Sequence, residues 1–211
     1  MRVLTMGVVG VCVLTLVAPL ANAELITIQI EGVVDTVEDD GDYLEDQIHV
    51  GDIITGWYTY DTDTPDSNPA YEVAHYQHTI QPAGITLHIG GVEFKTDFAD
   101  VDFLVGITND GTSGGLHDSY WIVSHNNELL PNGASVDSIL WNLENSGGTA
   151  LHSTDLPLLP PNLYDWQVNH LRLDGERGEY MIHGQVLSAV PEPCTLLFLG
   201  LGVLSVIRKV R

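Results

Sequence analysis

Three closely spaced aspartates are the residues of this chain best suited to binding a cation. Asp61, Asp63 and Asp66 lie in the stretch DTDTPDSN, where a carboxylate recurs every two or three residues. Calcium takes about six to eight oxygen ligands, and turns between strands supply carboxylates and carbonyls together. A solvated acidic loop is the alternative interpretation. We therefore predict no obligatory cofactor, with calcium as the one candidate metal.

Tryptophan offers a second chemistry, which is stacking against sugar rings. Large aromatic rings on a sheet face suit this role, although they also dominate ordinary cores. Trp57 is the candidate, because alternation in ITGWYTYD places it on the face opposite Tyr58 and Tyr60, and one of these two faces should be less buried. Exposed, coplanar tryptophans would favour glycan binding, whereas burial of all four would count against it. The four are Trp57, Trp121, Trp141 and Trp166.

The stretch GTSGG matches the G-x-S-x-G pattern of a hydrolase, with Ser113 as the nucleophile. That motif requires a turn from a strand into a helix. Because the residues that follow, LHDSYWIVS, have the pattern of a strand, a glycine-rich turn is favoured. We predict that the protein is not an enzyme, and a hydrolase acting on matrix polymers remains an alternative.

Histidines suggest a metal site, since the chain has nine of them. His75 and His78 are three residues apart, and on a strand this spacing directs their side chains to opposite faces. They should therefore not share a metal ion.

Alternation of apolar and polar residues indicates the elements that position these groups. In LITIQIEGVV, Ile26, Ile28 and Ile30 share one face, as in a half-buried strand. Similar runs recur along residues 24–189, and Gly90-Gly91 is typical of a two-residue hairpin. The pattern predicts one all-β domain, an antiparallel β-sandwich of the jelly-roll type. Matching spacings in its first and last strands predict that the two lie in one sheet.

Charge excludes one class of partner. Residues 24–189 contain 28 acidic residues against only Lys95, Arg172 and Arg177, a formal charge of −25. Nucleic acids are bound by Lys and Arg side chains that neutralise phosphates, so nucleic acid is excluded as a partner. An excess of negative charge favours solubility and attracts cations.

The first 23 residues have the order of a secretory signal peptide. Arg2 precedes an apolar stretch, and small residues at Ala21 and Ala23 form an A-x-A cleavage site. The mature chain is therefore predicted to begin at Glu24, after export across the inner membrane.

The last 22 residues, 190–211, predict a sorting tail. Its apolar run, Cys194 to Ile207, would form a helix of roughly 21 Å, short of the ~30 Å hydrocarbon core but able to insert with local thinning of the bilayer. The basic residues that follow should remain on the cytoplasmic side. These basic residues are Arg208, Lys209 and Arg211.

The tail resembles the PEP-CTERM protein-sorting signal. The resemblance rests on Val190, Pro191, Glu192 and Pro193, the short apolar helix, the basic end and the N-terminal signal peptide. It implies a Gram-negative bacterium, exosortase as a partner, and an association with exopolysaccharide and biofilm. We expect a membrane-anchored precursor that becomes a non-enzymatic protein of the cell surface or extracellular matrix. The alternative is a glycan-binding module, in which calcium could assist binding.

Overall fold

A computed structural model describes residues 24–68, 70–111 and 117–192. These residues form ten β-strands and two single-turn 3₁₀ helices, Leu163–Asp165 and Glu176–Gly178. The strands are β1 Leu25–Glu38, β2 Ile53–Asp61, β3 Val73–His78, β4 Gly84–Ile89, β5 Val92–Lys95, β6 Phe103–Gly111, β7 His117–Ser124, β8 Ser138–Asn145, β9 Val168–Asp174 and β10 Met181–Pro191. Among the described residues, no helix is long and apolar enough to cross a membrane.

All ten strands are antiparallel and hydrogen-bonded into one sheet, in the order β3-β6-β7-β8-β9-β10-β1-β2-β4-β5. The predicted all-β antiparallel class is confirmed. The jelly-roll-like sandwich is not confirmed, because the strands form a single continuous sheet. The first and last strands lie in the same sheet, as predicted, and they are direct neighbours there, with Val34 opposite Gly184.

The sheet curls so that distant strands share one core. Tyr58 of β2 contacts Tyr120 of β7, with the two hydroxyls 3.2 Å apart, and packs against the Trp141 ring of β8 at a centroid distance of 5.9 Å. Thr96, directly after β5, reaches Ser124 of β7 with 2.8 Å between the hydroxyl oxygens. Since β2 and β5 lie far from β7 in the strand order, only a curled sheet allows these contacts.

Alternation in the sequence accounts for the buried face. Ile26, Ile28 and Ile30 are at most 3% exposed, whereas Gln29 and Glu31, which alternate with them, face solvent. Burying the apolar face of each strand supplies the main stabilising free energy of such a sheet. The hairpin predicted at Gly90-Gly91 joins β4 to β5, and both glycines have positive φ, 58° and 90°. Those dihedral angles favour glycine, as in a two-residue turn.

The long connection between β8 and β9 is fastened to the sheet by buried polar groups. The Asp118 carboxylate, fully buried, accepts hydrogen bonds from the backbone N–H groups of Ala150 and Leu151, both at 2.8 Å. The Tyr76 hydroxyl donates to the carbonyl of Thr154 at 2.8 Å, and that of Tyr60 to the carbonyl of Pro157 at 2.5 Å. The proline-rich segment therefore covers one end of the core.

Candidate functional site

Trp57 lies on the outer face of β2, where its side chain meets solvent. It is 41% exposed, whereas Tyr58 and Tyr60 on the opposite face are fully buried. The expectation that the two faces differ in burial is confirmed. Desolvation by burial raises the pKa of both tyrosines, so both remain neutral core residues. Trp57 is therefore the aromatic residue of this strand that is accessible to a ligand.

The other tryptophans do not form a coplanar platform with Trp57. Trp141 is fully buried, and its indole N–H donates to the side-chain oxygen of Asn169 at 2.9 Å. Trp121 is half-buried and packs edge-on against His75, with centroids 5.6 Å apart. Trp166 is also half-buried and packs against the core. A stacking site on this protein would thus depend on a single tryptophan.

The register of β1, β2 and β4 surrounds Trp57 with polar side chains. Gln29 lies opposite Trp57, and the next outward-facing row brings together Glu31, Thr55 and His88. The rings of Trp57 and His88 are 5.9 Å apart and tilted by 49°. These residues line a shallow cavity of about 290 Å³ with Ser188 and Val190 of β10. We call this the Trp57 groove.

Chemically, the Trp57 groove combines one flat apolar ring with amide, carboxylate and hydroxyl groups. Gln29 offers both donors and acceptors, while Glu31 accepts hydrogen bonds from hydroxyl groups. Such a mixture suits a ligand that has an apolar face and a rim of hydroxyls, which is the chemistry of a sugar ring.

The positive charge of Lys95, on the surface near the Trp57 groove, is offset by two carboxylates that bind its ammonium group. Its Nζ lies 3.0 Å from Glu93 Oε1 and 3.1 Å from Glu128 Oε2. These hydrogen bonds raise the pKa of Lys95, so the ammonium remains charged within a locally acidic cluster. An anionic ligand would meet net repulsion here.

Two of the three aspartates predicted as calcium ligands, Asp61 and Asp66, use their carboxylates in local hydrogen bonds. Asp61 Oδ1 accepts a hydrogen bond from the backbone N–H of Asp63 at 2.9 Å. Asp66 Oδ1 accepts two hydrogen bonds, from the backbone N–H of Asn68 at 2.8 Å and from that of His75 at 2.9 Å. Because His75 belongs to β3, the Asp66 carboxylate covers the edge of that strand. Within residues 24–68, 70–111 and 117–192, no group of three or more His, Cys, Asp or Glu side chains could hold a metal ion. The calcium prediction therefore gains no support from this region.

His75 and His78 lie on opposite faces of β3, as the spacing predicted. His78 is 4% exposed and its Nδ1 is 2.9 Å from the Thr64 hydroxyl. Its ring packs between Tyr60 and Phe103, and its Nε2 has no hydrogen-bond partner. Desolvation lowers the pKa of His78 to about 4, although nearby Asp61 acts in the opposite direction. His78 is therefore a neutral core histidine at physiological pH.

The predicted terminal signals are described only in part. Val190 and Pro191 end β10, opposite Gln29 and Ile28, and the backbone N–H of Glu192 donates to the Thr27 carbonyl at 3.0 Å. Glu24, the predicted first residue of the mature chain, accepts the backbone N–H of Thr62 at its carbonyl oxygen, at 3.1 Å. Ala21, Ala23, Ser113, Pro193, Arg208, Lys209 and Arg211 lie outside the described residues.

Sequence reasoning missed most of the residues around Trp57. Gln29 and Glu31 come from β1 and His88 comes from β4, and only the register of these two strands with β2 makes them neighbours of Trp57. Their outward orientation was readable from alternation, but their proximity was not.

Comparison with protein-family models, curated proteins and solved structures finds no match for this chain.

Proposed function

We propose that this chain is an exported, non-enzymatic protein of the cell surface or extracellular matrix, sorted by an exosortase through its C-terminal tail. The observation that carries the proposal is the order of signals in residues 190–211: Pro-Glu-Pro, a short apolar run and a basic end. A signal peptide at the other end of the chain agrees with it. The large negative charge of the domain between them favours solubility outside the cell.

The end of β10 determines where a processing enzyme would meet the start of such a tail. Val190 and Pro191 belong to the sheet, and Glu192 is hydrogen-bonded to Thr27, so the sheet holds the first three residues of the proposed tail. A processing enzyme acting at this motif would work close to the folded domain.

Peptide mapping of the mature chain in a native host tests this proposal. Protein is recovered separately from the membrane, the cell surface and the medium, and both termini are identified. We expect the mature chain to begin at Glu24, and surface or released material to end near Pro193. Persistence of residues 207–211 in every fraction would contradict processing and leave a plain membrane anchor.

A second function, glycan binding, is favoured by the exposure of Trp57 in a groove lined with hydrogen-bonding groups. Stacking on a single exposed aromatic ring, with hydrogen bonds from Gln29 and Glu31, would give weak binding that repeated sugars of a polymer could strengthen. The groove includes Val190, so a bound polymer would lie beside the start of the tail.

Affinity electrophoresis in gels that contain the host exopolysaccharide tests this second function. We expect the polymer to retard the unaltered protein and not Trp57→Ala. Tyr71→Ala is the matched control, since Tyr71 is an aromatic residue 95% exposed outside the groove. Equal migration of all three proteins with and without polymer would rule out this ligand.

A further inference from the structure

A second cavity opens where β9 and β10 part from each other. The ladder between these strands ends at the pair of Leu171 and Gly184, whereas β10 continues alongside β1. Beyond that pair the Asn169 side chain takes the place of a strand partner, because its amide donates to the Val186 carbonyl at 2.6 Å. The cavity has a volume of about 420 Å³ and lies between β10 and the 3₁₀ helix Leu163–Asp165.

Tyr164 belongs to the wall of this cavity and is 98% exposed. Both of its neighbours are held in place: Leu163 packs against the core, and the Asp165 carbonyl accepts a hydrogen bond from the Asn145 amide at 2.5 Å. Within residues 24–68, 70–111 and 117–192, the Tyr164 side chain has no hydrogen-bond or ring partner. A fixed backbone therefore presents an uncommitted aromatic ring. We call this cavity the Tyr164 cleft.

The Trp57 groove and the Tyr164 cleft share Ser188, so they are parts of one surface. Ser188 lies opposite Glu31, and Glu31 lies opposite Thr55, which forms a row of side chains from β10 to β2. At about 4.8 Å between neighbouring strands, this row covers roughly 10 Å before it reaches the cleft. The combined surface is elongated across the strands, with an exposed aromatic ring in each of its two parts.

Hydrogen-bonding side chains lie between the two rings. Gln29 of β1 and Gln185 and Ser188 of β10 line the surface, and none of the three side chains is hydrogen-bonded to another described residue. Amide and hydroxyl groups both donate and accept, as the hydroxyls of a sugar require. Because strands position them, these groups are held ready for a ligand and are not committed to the fold.

The charges of the lining favour an uncharged ligand. Among the described residues, no Lys or Arg lines either cavity, and the domain carries 28 acidic residues against three basic ones, so an anionic polymer would be repelled. Glu31 is the single carboxylate in the described lining of the groove, and the described lining of the Tyr164 cleft has no charged side chain. A cationic polymer would therefore find no row of partners along the surface.

We propose that the Trp57 groove and the Tyr164 cleft together bind one uncharged polysaccharide chain, which crosses β2, β1 and β10 and stacks a sugar on the aromatic ring of each cavity. This inference rests on the glycan binding proposed above, and adds the second cavity, the need for a chain of several sugars, and the absence of charge. Two linked contacts bind a chain more tightly than either contact alone, because the second forms within the same complex.

The test measures binding of host exopolysaccharide fragments to the full chain, purified in detergent, by isothermal titration calorimetry. Partial acid hydrolysis gives the fragments, which are separated by charge and then by length. We expect uncharged fragments to bind, and affinity to rise at least about 10-fold from fragments that fill the Trp57 groove to those that also reach the Tyr164 cleft. Raising the ionic strength should leave this affinity unchanged, because salt screens only interactions between charges.

Tyr164→Ala tests the second cavity. It should lower the affinity for long fragments by about 2- to 10-fold, as expected for the loss of one aromatic contact, and leave short fragments unaffected. Trp57→Ala should weaken the binding of both. Tyr71→Ala removes an aromatic ring that is 95% exposed outside both cavities, and should change neither. Far-ultraviolet circular dichroism shows that each variant is folded.

The outcomes separate this inference from the function on which it rests. Binding that requires Trp57 but depends neither on fragment length nor on Tyr164 would overturn the inference and leave glycan binding in place. Binding confined to charged fragments would overturn it as well. If no fragment binds, glycan binding and the inference fail together.

Discussion

Val190 lies directly opposite Gln29 in the ladder between β1 and β10, so the first residue of the predicted sorting motif is part of the sheet. Two residues further on, Glu192 donates its backbone N–H to Thr27 at 3.0 Å. Gln29 also lies opposite Trp57. The end of the domain, the start of the tail and the Trp57 groove are therefore joined through one strand, β1.

We predict that a chain ending at Glu192 is more stable than one ending at Ala189. The shorter chain loses the pairing of Val190 with Gln29 and the hydrogen bond from Glu192 to Thr27. At about 1 kcal/mol for each hydrogen bond, the free energy of unfolding should fall by about 1–2 kcal/mol. Urea denaturation of the two chains measures the difference. Identical midpoints would mean that the end of β10 is not held by the sheet.

We predict that His78 makes the protein less stable as the pH falls from about 6.5 to 4. Burial lowers the pKa of His78 to about 4, whereas in the unfolded chain it is close to 6.5. Between these values the unfolded chain binds more protons, so stability is complete above pH 6.5 and is lost as the pH falls towards 4. The loss from this residue is roughly 3 kcal/mol.

The measurement is the free energy of unfolding in urea at several pH values, for the unaltered protein and for His78→Gln. The variant cannot titrate at this position, and we expect its stability to depend less steeply on pH within that window. His152→Gln, an exposed histidine, is the control and should retain the original slope. A His78→Gln curve parallel to that of the unaltered protein would contradict the prediction.

We predict that Asp118→Asn destabilises the protein by about 2–4 kcal/mol, because hydrogen bonds to a buried charged group are strong and unmatched donors are costly. The Asp118 carboxylate accepts hydrogen bonds from the backbone N–H groups of Asp110, Ala150 and Leu151. In the asparagine variant, the amide nitrogen would replace one of the two oxygens and would face a backbone N–H in either orientation. Limited proteolysis should show faster cleavage within residues 146–167. Asp137→Asn, at an exposed position, should change neither property.

We predict that Gly56→Ala separates β2 from β4. A Cβ at this position would lie 2.0 Å from the Thr86 carbonyl oxygen, and backbone atoms cannot yield as a flexible side chain can. We expect a loss of roughly 1–3 kcal/mol, as in overpacked cores, measured by thermal denaturation. Gly91→Ala tests the opposite case, a glycine with open space but a φ of 90°, where only backbone strain acts. Unchanged stability in Gly56→Ala would show that the β2–β4 pairing is loose.

We predict that Trp141→Ala costs about 3–5 kcal/mol and Trp57→Ala markedly less, since only Trp141 is fully enclosed. Chemical denaturation of both variants measures the contrast. Similar losses would indicate that Trp57 serves mainly to hold β2 in place, and would weaken its assignment as a ligand contact.

Local patterns in the sequence determined the class of the fold and the face of each strand. Alternation identified Ile26, Ile28 and Ile30 as buried and set Trp57 apart from Tyr58, because side chains on a strand alternate whatever the strand pairs with. Paired glycines at Gly90 and Gly91 indicated the hairpin for an equally local reason, their access to positive φ. The terminal signals are likewise read from order and composition.

Only the tertiary structure decided which outward-facing residues meet. Gln29, Trp57 and His88 become neighbours through the registers of β1, β2 and β4, and His170 meets His183 through the register of β9 and β10. Register and curl depend on hydrogen bonds and core contacts between segments far apart along the chain, which no local pattern contains. For the same reason the acidic stretch gave no indication that Asp66 covers the edge of β3 by accepting the backbone N–H of His75.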